Sequence, residues 1–84
     1  MDLTHDKIQS ALENHEKWLS DPDKGDKLHF SNLDLWGYDF ANSKLSDAAF
    51  TNCNLQACSF QGADLTRADL FSSDLTAADM SGAI

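Results

Sequence analysis

From Phe30 to Met80 a bulky apolar residue occupies every fifth position without interruption: Phe30, Leu35, Phe40, Leu45, Phe50, Leu55, Phe60, Leu65, Leu70, Leu75 and Met80. An α-helix turns about 100° per residue and a strand about 180°, so neither holds a strict five-residue period on one of its faces. The chain must therefore turn a corner in every unit. The position two residues before each bulky centre is restricted as well: Leu28, Leu33 and Tyr38 first, then only small residues, Ser43, Ala48, Cys53, Cys58, Ala63, Ala68, Ser73, Ala78 and Ala83. Each unit thus reads small, polar, large, followed by two residues free to face outward.

Segments such as Ala63-Asp64-Leu65-Thr66-Arg67 and Ala68-Asp69-Leu70-Phe71-Ser72 resemble the A(D/N)LXX unit of the pentapeptide repeat family, and the resemblance spans residues 28–84. It implies an all-β solenoid, a right-handed quadrilateral β-helix of just under three coils, with one pentapeptide per side and about twenty residues per coil. Residues twenty apart are indeed alike, giving the stacks Phe30, Phe50, Leu70; Leu35, Leu55, Leu75; Phe40, Phe60, Met80; and Leu45, Leu65. Two of these place an aromatic over an aromatic, and offset stacking of such pairs is expected to help hold the register. At about 4.8 Å per coil the repeat region is about 13 Å long.

Before the repeat the period becomes helical. Ile8, Ala11, Leu12, His15, Trp18 and Leu19 form one apolar stripe. Thr4 is the expected N-cap and Asp6 suits the first turn, while Lys7 at the third position rules out a capping box. Pro22 ends the helix, and residues 20–27 read as a polar loop. The organisation expected is residues 1–27 as capping helix (about 4–20) and loop, then 28–84 as β-helix, the two forming one domain. A lone helix of this length is marginal in water. Its stripe should dock on the open N-terminal coil, where Leu28, Leu33 and Tyr38 replace small residues and would meet Ile8, Leu12, Trp18 and Leu19. The segment His15-Glu16-Lys17-Trp18-Leu19 also resembles the H-x-x-W-L lead-in of bacterial members of the family. His15 is either a ligand or general base, or a partly buried histidine that bonds a loop carbonyl and packs beside Trp18; no nucleophile, glycine-rich turn or carboxylate pair accompanies it to support the first.

The formal net charge is −8. Residues 1–27 hold seven acids and four lysines, and residues 28–84 hold seven aspartates against Lys44 and Arg67. Without a basic patch, direct binding to nucleic acid is not expected; an acidic surface suits a basic partner. No apolar run approaches a membrane span, and the start Met1-Asp2-Leu3-Thr4-His5-Asp6 has no signal-peptide pattern, so a cytoplasmic protein is expected. Cys53 and Cys58 sit at the small inward position of consecutive units. A disulfide or half a metal site is the chemical alternative to buried thiols used as small hydrophobes, but Cys-x4-Cys without a second pair or spaced histidines is a poor zinc signature. His5 and His29 complete a weak metal or enzyme set, and no catalytic residue, metal site or cofactor is assigned.

Function in such a chain must lie on outward positions. Trp36 and Phe71 are the large apolar exceptions among residues that follow the centres. Trp36, in the first coil, has a local explanation in packing on the helix or its loop, beside a partner contact; Phe71, in the last coil, faces either another chain or solvent. Asp64, Asp69, Asp74 and Asp79 place one acid on each side of the final coil, and read as a solvated ring rather than as phosphate mimics or cation ligands. At the C-terminal end Leu65, Leu70, Leu75 and Met80 would have core neighbours on one side only, forfeiting about 4 kcal/mol of burial. The candidate interface is therefore Phe71, Leu75, Met80 and Ile84 with Trp36, joined end to end in a homodimer. The expected function is a non-enzymatic protein-interaction module with an acidic surface. The family resemblance also implies an alternative, a DNA mimic that binds gyrase and protects it from quinolones; two such stubs span about 26 Å, under one turn of duplex at about 34 Å, which disfavours it.

Overall fold

The computed structural model describes residues 4–84, so the part of the leader reading that rests on Met1, Asp2 and Leu3 lies outside the described residues. Helix α1 runs His5–Ser20. The Thr4 hydroxyl accepts the Lys7 N–H at 3.3 Å, Asp6 stands in the first turn and Lys17 in the last, each favourable to the helix dipole. Asp21 closes the C-terminus by donating its N–H to the Lys17 carbonyl at 2.8 Å. The loop then doubles back on the helix, with the Asp26 N–H donating to the Asn14 carbonyl at 3.2 Å. Gly25 permits that approach, because a Cβ there would overlap the Asn14 carbonyl and the Trp18 nitrogen. No helix among the described residues is long and apolar enough to cross a membrane.

The corners demanded by the five-residue period are visible in the backbone. Asn32, Gly37, Asn42, Asp47, Asn52, Ala57, Gly62, Arg67, Ser72, Ala77 and Gly82, each two residues after a bulky centre, all have φ between 56° and 71°. After nine of the eleven centres the N–H three residues on donates to the centre's own carbonyl, as in Tyr38 to Leu35 at 3.1 Å and Ala83 to Met80 at 3.0 Å. This is a β-turn with a left-handed third residue. The remaining two corners follow Phe30 and Phe50, in strands β1 (His29–Ser31) and β2 (Ala49–Thr51).

Those two strands pair in parallel, His29 with Ala49, Phe30 with Phe50 and Ser31 with Thr51. Single parallel bridges link Asp34 to Asn54 and Asn54 to Asp74, Asp39 to Ser59 and Ser59 to Asp79, Lys44 to Asp64, and Ala49 to Asp69. The chain therefore returns beside itself every twenty residues, in four columns of parallel pairing. The helix expected before the repeat is the longest regular element, while in the region expected to be an all-β solenoid the regular sheet has only two strands of three residues. A left-handed residue at every fifth position stops each strand before it can lengthen.

The bulky centres point into a core in which Phe40, Leu45, Phe50, Leu55 and Phe60 are fully buried. The two aromatic ladders differ. Phe40 lies flat over Phe60, centroids 5.2 Å apart and planes at 12°, whereas Phe30 meets Phe50 edge-on at 5.7 Å and 75°. The expected stacking thus holds for one ladder only. Phe50 also meets Phe40 and Phe60 edge-on, at 77° and 89°, and a ring that satisfies both cannot also lie flat over Phe30.

Candidate interaction surfaces

At the N-terminal end Ile8 and Leu12 join the same apolar cluster as Leu28 and Phe30, with Leu33 and Tyr38 packed against it. His15, fully buried, supplies the polar part of this contact. The Leu28 N–H donates to His15 Nδ1 at 2.9 Å, so the ring proton sits on Nε2, which donates to the Ser46 carbonyl at 2.8 Å. In the next coil the equivalent carbonyl, that of Thr66, accepts the Asp47 N–H at 2.9 Å, and the N–H equivalent to that of Leu28, on Ala48, donates to the Leu45 carbonyl at 3.0 Å. One imidazole stands in for both partners that a preceding coil would provide. The carbonyl belongs to the corner that follows Leu45, in the first coil. Tyr38 reaches the other end of the helix: Gln9 Nε2 donates to its hydroxyl at 2.8 Å, and the hydroxyl shares a hydrogen bond with His5 Nδ1 at 3.1 Å. Trp18 stacks on His15 with centroids 5.5 Å apart; Trp18 and Leu19 are half-buried and stand outside the apolar cluster.

The opposite end differs. Leu65, Leu70 and Leu75 are half-buried, and exposure rises to 38% at Met80 and 77% at Ile84. In the middle coil the N–H groups of Phe50, Leu55 and Phe60 donate to the carbonyls of Asp69, Asp74 and Asp79; those of Leu70, Leu75 and Met80 have no backbone acceptor among the described residues. Phe71 is 71% exposed and Trp36 65%. The local explanation for Trp36, packing on the helix or its loop, is therefore overturned: its side chain projects from the corner after Leu35 into solvent.

The aspartates before the centres have a role that sequence reasoning missed. Asp34, Asp39, Asp64, Asp69, Asp74 and Asp79 each accept, through Oδ1, the N–H two residues ahead, at 2.9–3.1 Å. These are Asx turns that brace the corners. Hydrogen bonds from Thr66 hold the Asp64 carboxyl below the usual carboxylate range. Thr76, with Gln56, does so for Asp74, and Ser81 for Asp79. Asp47 is lowered by the guanidinium of Arg67, one coil on, which grips it at 2.9 and 3.0 Å. The signal was present in the sequence as Asp or Asn at a constant offset before seven of the eleven corners. No group of three or more potential metal ligands occurs among the described residues.

Both cysteines are free and buried. Cys58 Sγ donates to the Leu35 carbonyl at 3.0 Å and Cys53 Sγ approaches that of Phe30 at 3.5 Å. Burial pushes the Cys58 thiol up, away from the reactive thiolate. Ser73 repeats the arrangement, donating to the Phe50 carbonyl at 2.6 Å. Its oxygen accepts the Cys53 N–H at 3.1 Å, which completes the corner that lacks a turn bond.

Corners at every fifth residue and parallel pairing at every twentieth define a repeat protein whose unit is the pentapeptide. The family model described as Pentapeptide repeats matches residues 28–56 and 48–84, in eight copies, and the chain belongs to that family. No curated protein matches the chain significantly. Members of the family are generally structural or interaction modules.

Proposed function

We propose that this protein is a non-enzymatic protein-interaction module of the cytoplasm. In this reading residues 28–84 form a right-handed quadrilateral β-helix of just under three coils, α1 and its loop cap the first coil, and the whole is one domain that self-associates through the last coil. The observation that carries it is the asymmetry of the two ends. The first coil is covered by Ile8, Leu12 and His15, while the last leaves Leu70, Leu75 and Met80 with unpaired N–H groups and incomplete burial. Among the described residues one end is covered and the other open, and copies that meet by that one surface close as a two-fold dimer and not as a filament. Phe71 and Ile84 lie beside that end and extend its apolar rim.

Sedimentation velocity on the full natural protein tests this. A dimer at micromolar concentration, converted to monomer by Met80→Asp with Leu75→Asp, is the expected result. A monomer that stays folded at the same concentration overturns the self-association.

A further inference from the structure

The four columns of pairing distribute charge and aromatic surface unevenly. The fourth column and its corner balance Lys44 and Arg67 against Asp47 and Asp64, and Arg67 is committed to Asp47. The other three columns carry Asp34, Asp39, Asp69, Asp74 and Asp79 with no lysine or arginine. The column Asp34, Asn54, Asp74 is distinct among them. Phe71 stands on the corner that leads into it, in the last coil, and Trp36 on the corner that leaves it, in the first. Two aromatic side chains exposed by 71% and 65% thus bracket one acidic face at diagonally opposite corners. Its carboxylates are held in place: Asn54 Nδ2 donates to Asp34 Oδ1 at 3.0 Å, and Gln56 Nε2 to Asp74 Oδ2 at 2.6 Å. The amides fix the two acids without neutralising them.

We infer that this face, bounded by Trp36 and Phe71 and centred on Asp34 and Asp74, docks a protein segment carrying two cationic side chains. The inference rests on the interaction-module reading above and names the chemistry of its partner. Charge complementarity selects the occupant: arginine or lysine pairs with the carboxylates, and its cation lies over the ring faces of Trp36 and Phe71. Spacing narrows it further. Asp34 and Asp74 are two coils apart, about 10 Å at the usual strand separation, which matches side chains three residues apart in a polyproline II peptide, where every third residue returns to the same face at about 3.1 Å of rise per residue. A nucleic acid would be repelled by the same charges.

The probe is the capped peptide Arg-Ser-Ser-Arg, titrated into the isotope-labelled full chain and followed by NMR, with Glu-Ser-Ser-Glu as control. The expected result is that the Trp36 indole N–H and the amides of Asp34, Asn54 and Asp74 shift more than those of Lys44 and Asp64. Trp36→Ala and Phe71→Ala should each weaken binding about threefold, as exposed cation–π contacts do. Asp34→Asn with Asp74→Asn should abolish it while keeping the Asx turns. Shifts spread evenly over all acidic columns, an equal response to the glutamate peptide, or indifference to both aromatic substitutions would each overturn the proposal. A monomer that binds the peptide refutes the dimer and leaves this face standing; a dimer silent to it does the reverse.

Discussion

The imidazole of His15 donates from Nε2 to the Ser46 carbonyl at 2.8 Å and accepts the Leu28 N–H on Nδ1 at 2.9 Å, replacing with one side chain two bonds that a coil would have made. A buried backbone group left without a partner costs about 1–3 kcal/mol. His15→Ala orphans two of them and opens a cavity, so about 3–5 kcal/mol of stability should be lost. That is a large fraction of the total for a domain of this size. His15→Gln, which retains a donor and an acceptor, should recover part of it. Urea unfolding measures the loss, and hydrogen exchange at the Leu28 amide should accelerate most in the alanine variant.

The Asx turns give the protein a defined acid response. Asp64, Asp74 and Asp79 are held low by hydrogen bonds from Thr66, Thr76 with Gln56, and Ser81, and Asp47 by Arg67. A carboxyl whose folded value lies below its unfolded one contributes stability that is complete above the unfolded value, about pH 4, and is lost as pH falls through the folded value. Melting temperature should therefore be level from neutrality down to about pH 5 with respect to these groups, and fall below about pH 4. Asp74→Asn, still able to accept the Thr76 N–H, should flatten the acid limb with a smaller loss at pH 7 than Asp74→Ala.

The core should weaken along the stack. Phe50 is fully buried and meets Phe30, Phe40 and Phe60, so Phe50→Ala should cost about 3–5 kcal/mol. Met80, 38% exposed in the last coil, should cost about 1 kcal/mol or less when replaced by alanine in the monomer. If the last coil is the dimer contact, the Met80→Ala penalty grows with protein concentration while that of Phe50→Ala does not. Denaturant titrations at two concentrations separate the cases.

The sequence by itself determined the repeat. An unbroken five-residue period from Phe30 to Met80, together with likeness at twenty, requires a corner per unit and a return per four units, because helix and strand periods both fail it. The helix limits were equally legible, since Thr4, the apolar stripe and Pro22 are local signals that act within one turn. Tertiary structure decided everything that depends on two coils meeting. Phe30 over Phe50 and Phe40 over Phe60 have the same spacing, yet one pair is edge-on and the other flat, because Phe50 also answers to neighbours on adjacent sides. Ser73 completes a corner formed twenty residues earlier. Trp36, in the coil that carries the helix, is nevertheless exposed, while His15 is fully buried. A period tells which residues face inward; only the packed chain tells which backbone groups need a partner once there.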